Sequence, residues 1–171
     1  SNTLIWSYDN TPPTLDSVEM LSTGGSSIDP TTFGVGHVIS IIAKFSEPVS
    51  ATGLPVLNLS NGRNTTTVSV VEGNDYELLF TYTVGQNDNS NNDLQVIGAS
   101  VPIGVGSITD RAGNSFAGLA ENNQTITHDN TSTFVVDTDS PSMVISSTTV
   151  TSGSTTNDAF IVLNFAVSNN T

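Results

Sequence analysis

An internal repeat limits what this chain can fold into more than any other feature of it. Thr3–Thr14 superposes on Thr131–Ser142: each is a short apolar run followed by Asp-x-x-x-Pro-[Ser/Thr], with Asp9 and Asp137 lying 128 positions apart. After each copy comes another apolar run, a Gly/Ser/Thr turn and a matching apolar segment, Val38–Phe45 in one case and Asp158–Phe165 in the other. Self-similarity on this scale is the signature of modules in tandem. The repeat therefore divides the chain in three. Residues 1–8 are the closing strand of a preceding module or a donor strand, 9–137 a whole module, and 138–171 the opening strands of a following, incomplete one.

The modules are expected to be all-β. Ser and Thr number 47 and Asn 18, while the residues that build amphipathic helices are scarce. Period-2 alternation and β-branched runs, broken by Gly, Pro, Asn and Asp, predict strands at Leu4–Tyr8, Leu15–Leu21, Val38–Phe45, Pro55–Leu59, Thr65–Val71, Tyr76–Val84, Leu94–Ala99, Thr133–Val136 and Phe160–Phe165. In Val38–Phe45 the residues Ile39, Ile41, Ala43 and Phe45 share one face, and Lys44 lies on the other. Leu78, Phe80, Tyr82 and Val84 form a second such face. Short alternating strands without helices predict a two-sheet sandwich with long loops at Gln86–Asp93 and Gly113–Asn130.

Charge removes several functions. Sixteen acidic residues stand against Lys44, Arg63 and Arg111, for a formal charge of −13, so there is no basic stripe to neutralise phosphates and no nucleic-acid partner is expected. No apolar run is long enough to insert in a membrane, and Ser1–Asn10 lacks the charged start and apolar stretch of a leader. The absence of cysteine removes disulfides, thiolate metal sites and cysteine nucleophiles. His37 and His128, the only histidines, sit in no zinc or nucleophile motif, and no enzymatic activity is expected.

Val35–Val49, Thr52–Leu59, Leu79–Val84, the Asp-x-x-Gly-Asn turn within Ile108–Asn114 and the linker Val135–Pro141 together resemble the bacterial-type immunoglobulin-like (cadherin-like) tandem repeats of large surface adhesins. The resemblance implies an immunoglobulin-like β-sandwich flanked by strands of neighbouring modules. It implies an extracellular or cell-surface location and a spacer role in a fibre or array, with copies of itself or neighbouring repeats as partners. It also implies calcium at module ends, for which the candidate ligands are Glu47, Asp88, Asp93, Asp137 and Asp139; hard divalent ions take oxygen ligands of this kind. His37 and Gln95 stand where the family often has acids.

Five Asn-x-Ser/Thr sequons, at Asn58, Asn64, Asn123, Asn130 and Asn169, are candidates for glycans, although about five are expected by chance in so Asn- and Thr-rich a chain. Leu4, Trp6 and Tyr8 alternate onto one face of the first predicted strand and form a candidate assembly strand. An alternative role is an adhesin domain that recognises glycan or protein through the two long loops.

Overall fold

A computed structural model describes residues 7–21, 31–90, 93–100, 106–119, 126–129 and 133–168. It divides into two compact units, Ser1–Thr138 and Asp139–Thr171. Every regular element among the described residues is a strand.

In the first unit, β1 (Leu15–Leu21) pairs antiparallel with β3 (Val38–Phe45), and β3 with β7 (Asn74–Thr83). The edges of this five-stranded sheet are β6 (Thr67–Val71), antiparallel to β7, and β10 (Thr127–His128), parallel to β1. Three further two-stranded ladders complete the unit. They join β2 (Thr32–Phe33) to β11 (Val135–Val136) in parallel, and, antiparallel, β4 (Val49–Gly53) to β9 (Gly106–Asp110) and β5 (Val56–Leu59) to β8 (Val96–Ser100).

The alternation expected in β3 and β7 is what the burial shows: Ile39, Ile41, Ala43, Phe45, Leu78, Phe80, Tyr82 and Val84 are all buried. They meet Leu57, Leu59, Val96 and Ile108 from the short ladders in one hydrophobic cluster. Aromatic contacts tie it together at two places. Phe33 stacks on Phe134 with centroids 5.5 Å apart, and Phe45 meets Phe116 edge-on at 5.6 Å.

Several strand boundaries and assignments are corrected. β4 and β9 were not expected, and Ile108–Asp110 reads in sequence as part of a turn. Gly106 and Ser107 look like loop residues, but Gly106 is where the two backbones nearly touch: an added Cβ would lie 2.2 Å from the Thr52 carbonyl oxygen. The loop Gly113–Asn130 contains β10, held by its partner rather than by an apolar pattern. Of the predicted strand Leu4–Tyr8 only Ser7 and Tyr8 lie within the described residues. Neither is in a strand, and Tyr8 is 89% exposed.

The second unit contains β12 (Ser142–Ser147) and β13 (Leu163–Ser168), paired antiparallel from Ser142↔Ser168 to Ser147↔Leu163. The last strand was expected at Phe160–Phe165 and lies three residues later. This register sets Met143 opposite Val167 and Ile145 opposite Phe165, which joins these four on one face and leaves Val144 and Ala166 on the other.

Candidate functional site

Polar contacts gather where the chain enters the first unit after Asp9 and where it leaves at Asp137. At the leaving end, the loop after β7 turns inward. Asp88 is 6% exposed; its Oδ2 accepts the Tyr82 hydroxyl at 3.0 Å and the Gly85 N–H at 2.7 Å, and its Oδ1 is in ion-pair contact with Arg63 Nε. Asn61 Nδ2 donates to the same hydroxyl at 3.1 Å and to the Asp88 carbonyl at 3.4 Å. Burial above all pushes Tyr82 up to about 12. The Asn61 amide works against this, and the Asp88 carboxylate adds to it.

From there the loop clasps the closing strand. Ser90 N–H donates to the Val136 carbonyl at 2.8 Å, and Val136 N–H returns a bond to Ser90 Oγ at 2.8 Å. Asp93 Oδ1 accepts Phe134 N–H at 2.6 Å, and Leu94 N–H donates to the Phe134 carbonyl at 2.6 Å. Asn89 Oδ1 takes both the backbone N–H and the hydroxyl of Thr138, each at 2.7 Å. On its other side the strand is held by β2, with Asp137 N–H donating to the Phe33 carbonyl at 3.1 Å.

The entering end is held by the Asp110–Asn114 turn. Asp110, 6% exposed, accepts Asn114 N–H on Oδ1 at 2.8 Å and Asn114 Nδ2 on Oδ2 at 2.7 Å. The same Nδ2 donates to the carbonyls of Asp9 at 3.3 Å and Thr11 at 3.4 Å. Burial would raise Asp110, but these donors and the backbone N–H groups of Gly113 and Ala112 outweigh it and hold the carboxyl below its ordinary range. Carboxylate oxygens of Asp9, Glu47 and Asp110 all lie within 4.8 Å of one another. Glu47 is raised, first by desolvation and then by the charges of Asp110 and Asp9.

Of the five acids expected at a calcium site, the structure brings Glu47 alone into a carboxylate group, and its companions are Asp9 and Asp110 rather than the linker acids. Asp88 and Asp93 are committed to the clasp. Asp137 is half-buried and holds β2 through its backbone, and Asp139 is exposed in the next unit. Three carboxylates supply about half of the six to eight oxygens that calcium takes.

Among the sequons, Asn58 is 8% exposed, donates its Nδ2 to Asn64 Oδ1 at 3.2 Å and accepts Ser100 Oγ at 2.8 Å. A glycan needs that nitrogen at the surface, so Asn58 is a packing residue. Asn64 is exposed, and Asn123, Asn130 and Asn169 lie outside the described residues, as do Leu4 and Trp6.

Each histidine has a ring nitrogen beside a backbone carbonyl. His37 Nδ1 lies 2.9 Å from the Gly34 carbonyl, and His128 Nε2 2.9 Å from that of Val96. Asn89, Ser90 and Asn114, which fasten the chain where it enters and leaves the first unit, are not among the candidate site residues of the sequence. The signal was present for Asn114 in its Asp-x-x-Gly-Asn turn; for Asn89 and Ser90 nothing local distinguishes them from other loop residues. Compared with known proteins, the chain matches no family model, no curated protein and no solved structure.

Proposed function

We propose that this chain is an extracellular structural element of a tandem-repeat fibre or adhesin: one immunoglobulin-like β-sandwich module followed by the opening strands of a second. The carrying observation is that each Asp-x-x-x-Pro-[Ser/Thr] copy leads into an antiparallel strand pair: the first leads into β1, which pairs with β3, and the second into β12, which pairs with β13.

The polar architecture supports the same reading. Both ends of the whole module are fastened to its body by side-chain-to-backbone bonds, Asn114 to Asp9 and Thr11, Asn89 to Thr138. A spacer needs this, because slack at the point where the chain leaves would let neighbouring modules bend freely.

The alternative, recognition of glycan or protein by the loop 86–93, is less well supported, since Asp88, Asn89, Ser90 and Asp93 each commit a side-chain oxygen to the first unit itself. The test is to raise an antibody to the module and label the native cell surface by immunogold electron microscopy. Label running along continuous fibres is expected. Label confined to isolated particles overturns the proposal.

A further inference from the structure

The second unit presents an apolar face with nothing over it among the described residues. On the pleated pair β12 and β13, Met143, Ile145, Leu163, Phe165 and Val167 point to one side, and each is more than half exposed. The opposite side carries Ser142, Ser146, Asn164 and Ser168 around the pair Val144 and Ala166, and is the more polar of the two. A two-stranded ribbon with one bare apolar face is marginal in water, and a patch of this kind marks an interaction surface.

The first module shows what chemistry covers the corresponding face. There Leu15, Ala43 and Phe45, the repeat counterparts of Met143, Leu163 and Phe165, belong to one buried cluster with Phe33, Phe134 and Val136, the last two coming from the segment around β11. By the 128-residue repeat, Trp6 occupies the place of Phe134 and Tyr8 that of Val136. The two copies differ sharply in surroundings: Val136 is 1% exposed and Tyr8 is 89% exposed. Leu4–Tyr8 thus has the composition of a closing segment, and its described end does not lie against its own chain's core.

We propose that the face formed by Met143, Ile145, Leu163, Phe165 and Val167 is a docking site for the segment Leu4–Tyr8 of a second copy of this chain, whose Leu4, Trp6 and Tyr8 side chains cover it. Alternation places those three on one side of an extended segment, matching the more apolar side of the ribbon that receives them. Donor and acceptor lie in different parts of each chain, so the contact is heterologous and propagates head to tail. This inference rests on the module reading but fails separately from it, because it is tested on the purified chain in solution and the module reading is tested on native fibres.

Trp6 is the chain's single tryptophan, so its fluorescence reports on the donor segment alone. The purified full chain is followed over a wide concentration range by tryptophan emission and by light scattering. Expected is a blue shift of the emission together with growth in mass from the 17.8 kDa monomer. Both should be lost in Phe165→Asp and in a chain lacking residues 1–8, neither of which removes a residue of the described core. A mass constant at 17.8 kDa, growth without a shift in the emission, or association that survives either change each overturns the proposal. The last of these outcomes would assign the face to another occupant, such as further residues of a longer polypeptide.

Discussion

Tyr82 donates its hydroxyl to Asp88 across 3.0 Å, and this bond joins the end of the interior strand β7 to the loop that clasps the closing strand. Replacing Asp88 by Ala leaves the Tyr82 hydroxyl and the Gly85 N–H without their acceptor. An unsatisfied buried donor costs about 1–3 kcal/mol, and the ion pair adds little because Arg63 is half exposed. Tyr82→Phe should cost less, about 1 kcal/mol. Denaturant unfolding of the two variants reads the difference directly.

The same tyrosine sets an alkaline limit. With Tyr82 at about 12 in the folded chain against an ordinary value near 10, the unfolded chain loses the proton first. Between those values the folded state holds more protons, so stability falls as pH rises from about 10 to about 12. Thermal scans in that window should show the fall, and Tyr82→Phe should flatten it.

Glu47 faces Asp9 and Asp110, and its raised carboxyl means that ionising it works against the fold. The unfavourable contribution grows as pH rises through the folded value and vanishes when the carboxyl is protonated. Glu47→Gln should therefore raise the melting temperature at neutral pH in chelator, with the gain shrinking in acid. A neutral-pH melting point at or below the wild type's would contradict this.

Lys44 bridges Glu19 at 3.2 Å and Asp129 at 3.4 Å, joining β3 to β1 and to the residue after β10. Asp129 is held low, first by the Ser17 hydroxyl at 2.7 Å, against some desolvation, and then by Lys44. A carboxyl depressed in the folded state contributes stability above its unfolded value and loses it as pH falls through the folded one. Ser17→Ala should thus weaken the fold at neutral pH and reduce its sensitivity to acid, measured as melting temperature from pH 7 down to about pH 3.

Gly106→Ala should be among the most damaging small changes. The new Cβ would meet the Thr52 carbonyl oxygen at 2.2 Å and the Leu54 nitrogen at 2.9 Å, both backbone atoms of the partner strand and the residues after it. Separating the strands to make room costs about 1–3 kcal/mol or more, readable as a drop in the urea midpoint.

What the sequence determined by itself is whatever depends on neighbours along the chain. The buried faces of β3 and β7 follow from alternation, because successive side chains of a strand must point to opposite sides. The division near residue 138 follows the repeat, and the second unit begins at Asp139. Tertiary structure alone decided which polar groups meet. Asp93 reads in sequence as a candidate calcium ligand until Phe134, 41 positions later, donates to it, and Asp9 and Asp110 join Glu47 from segments about a hundred residues apart. A carboxylate carries no periodicity and accepts a donor from any direction, so its partner is set by how the backbone closes. The same holds for Gly106, which looks like a loop glycine and is a strand residue because another backbone passes where a side chain would stand.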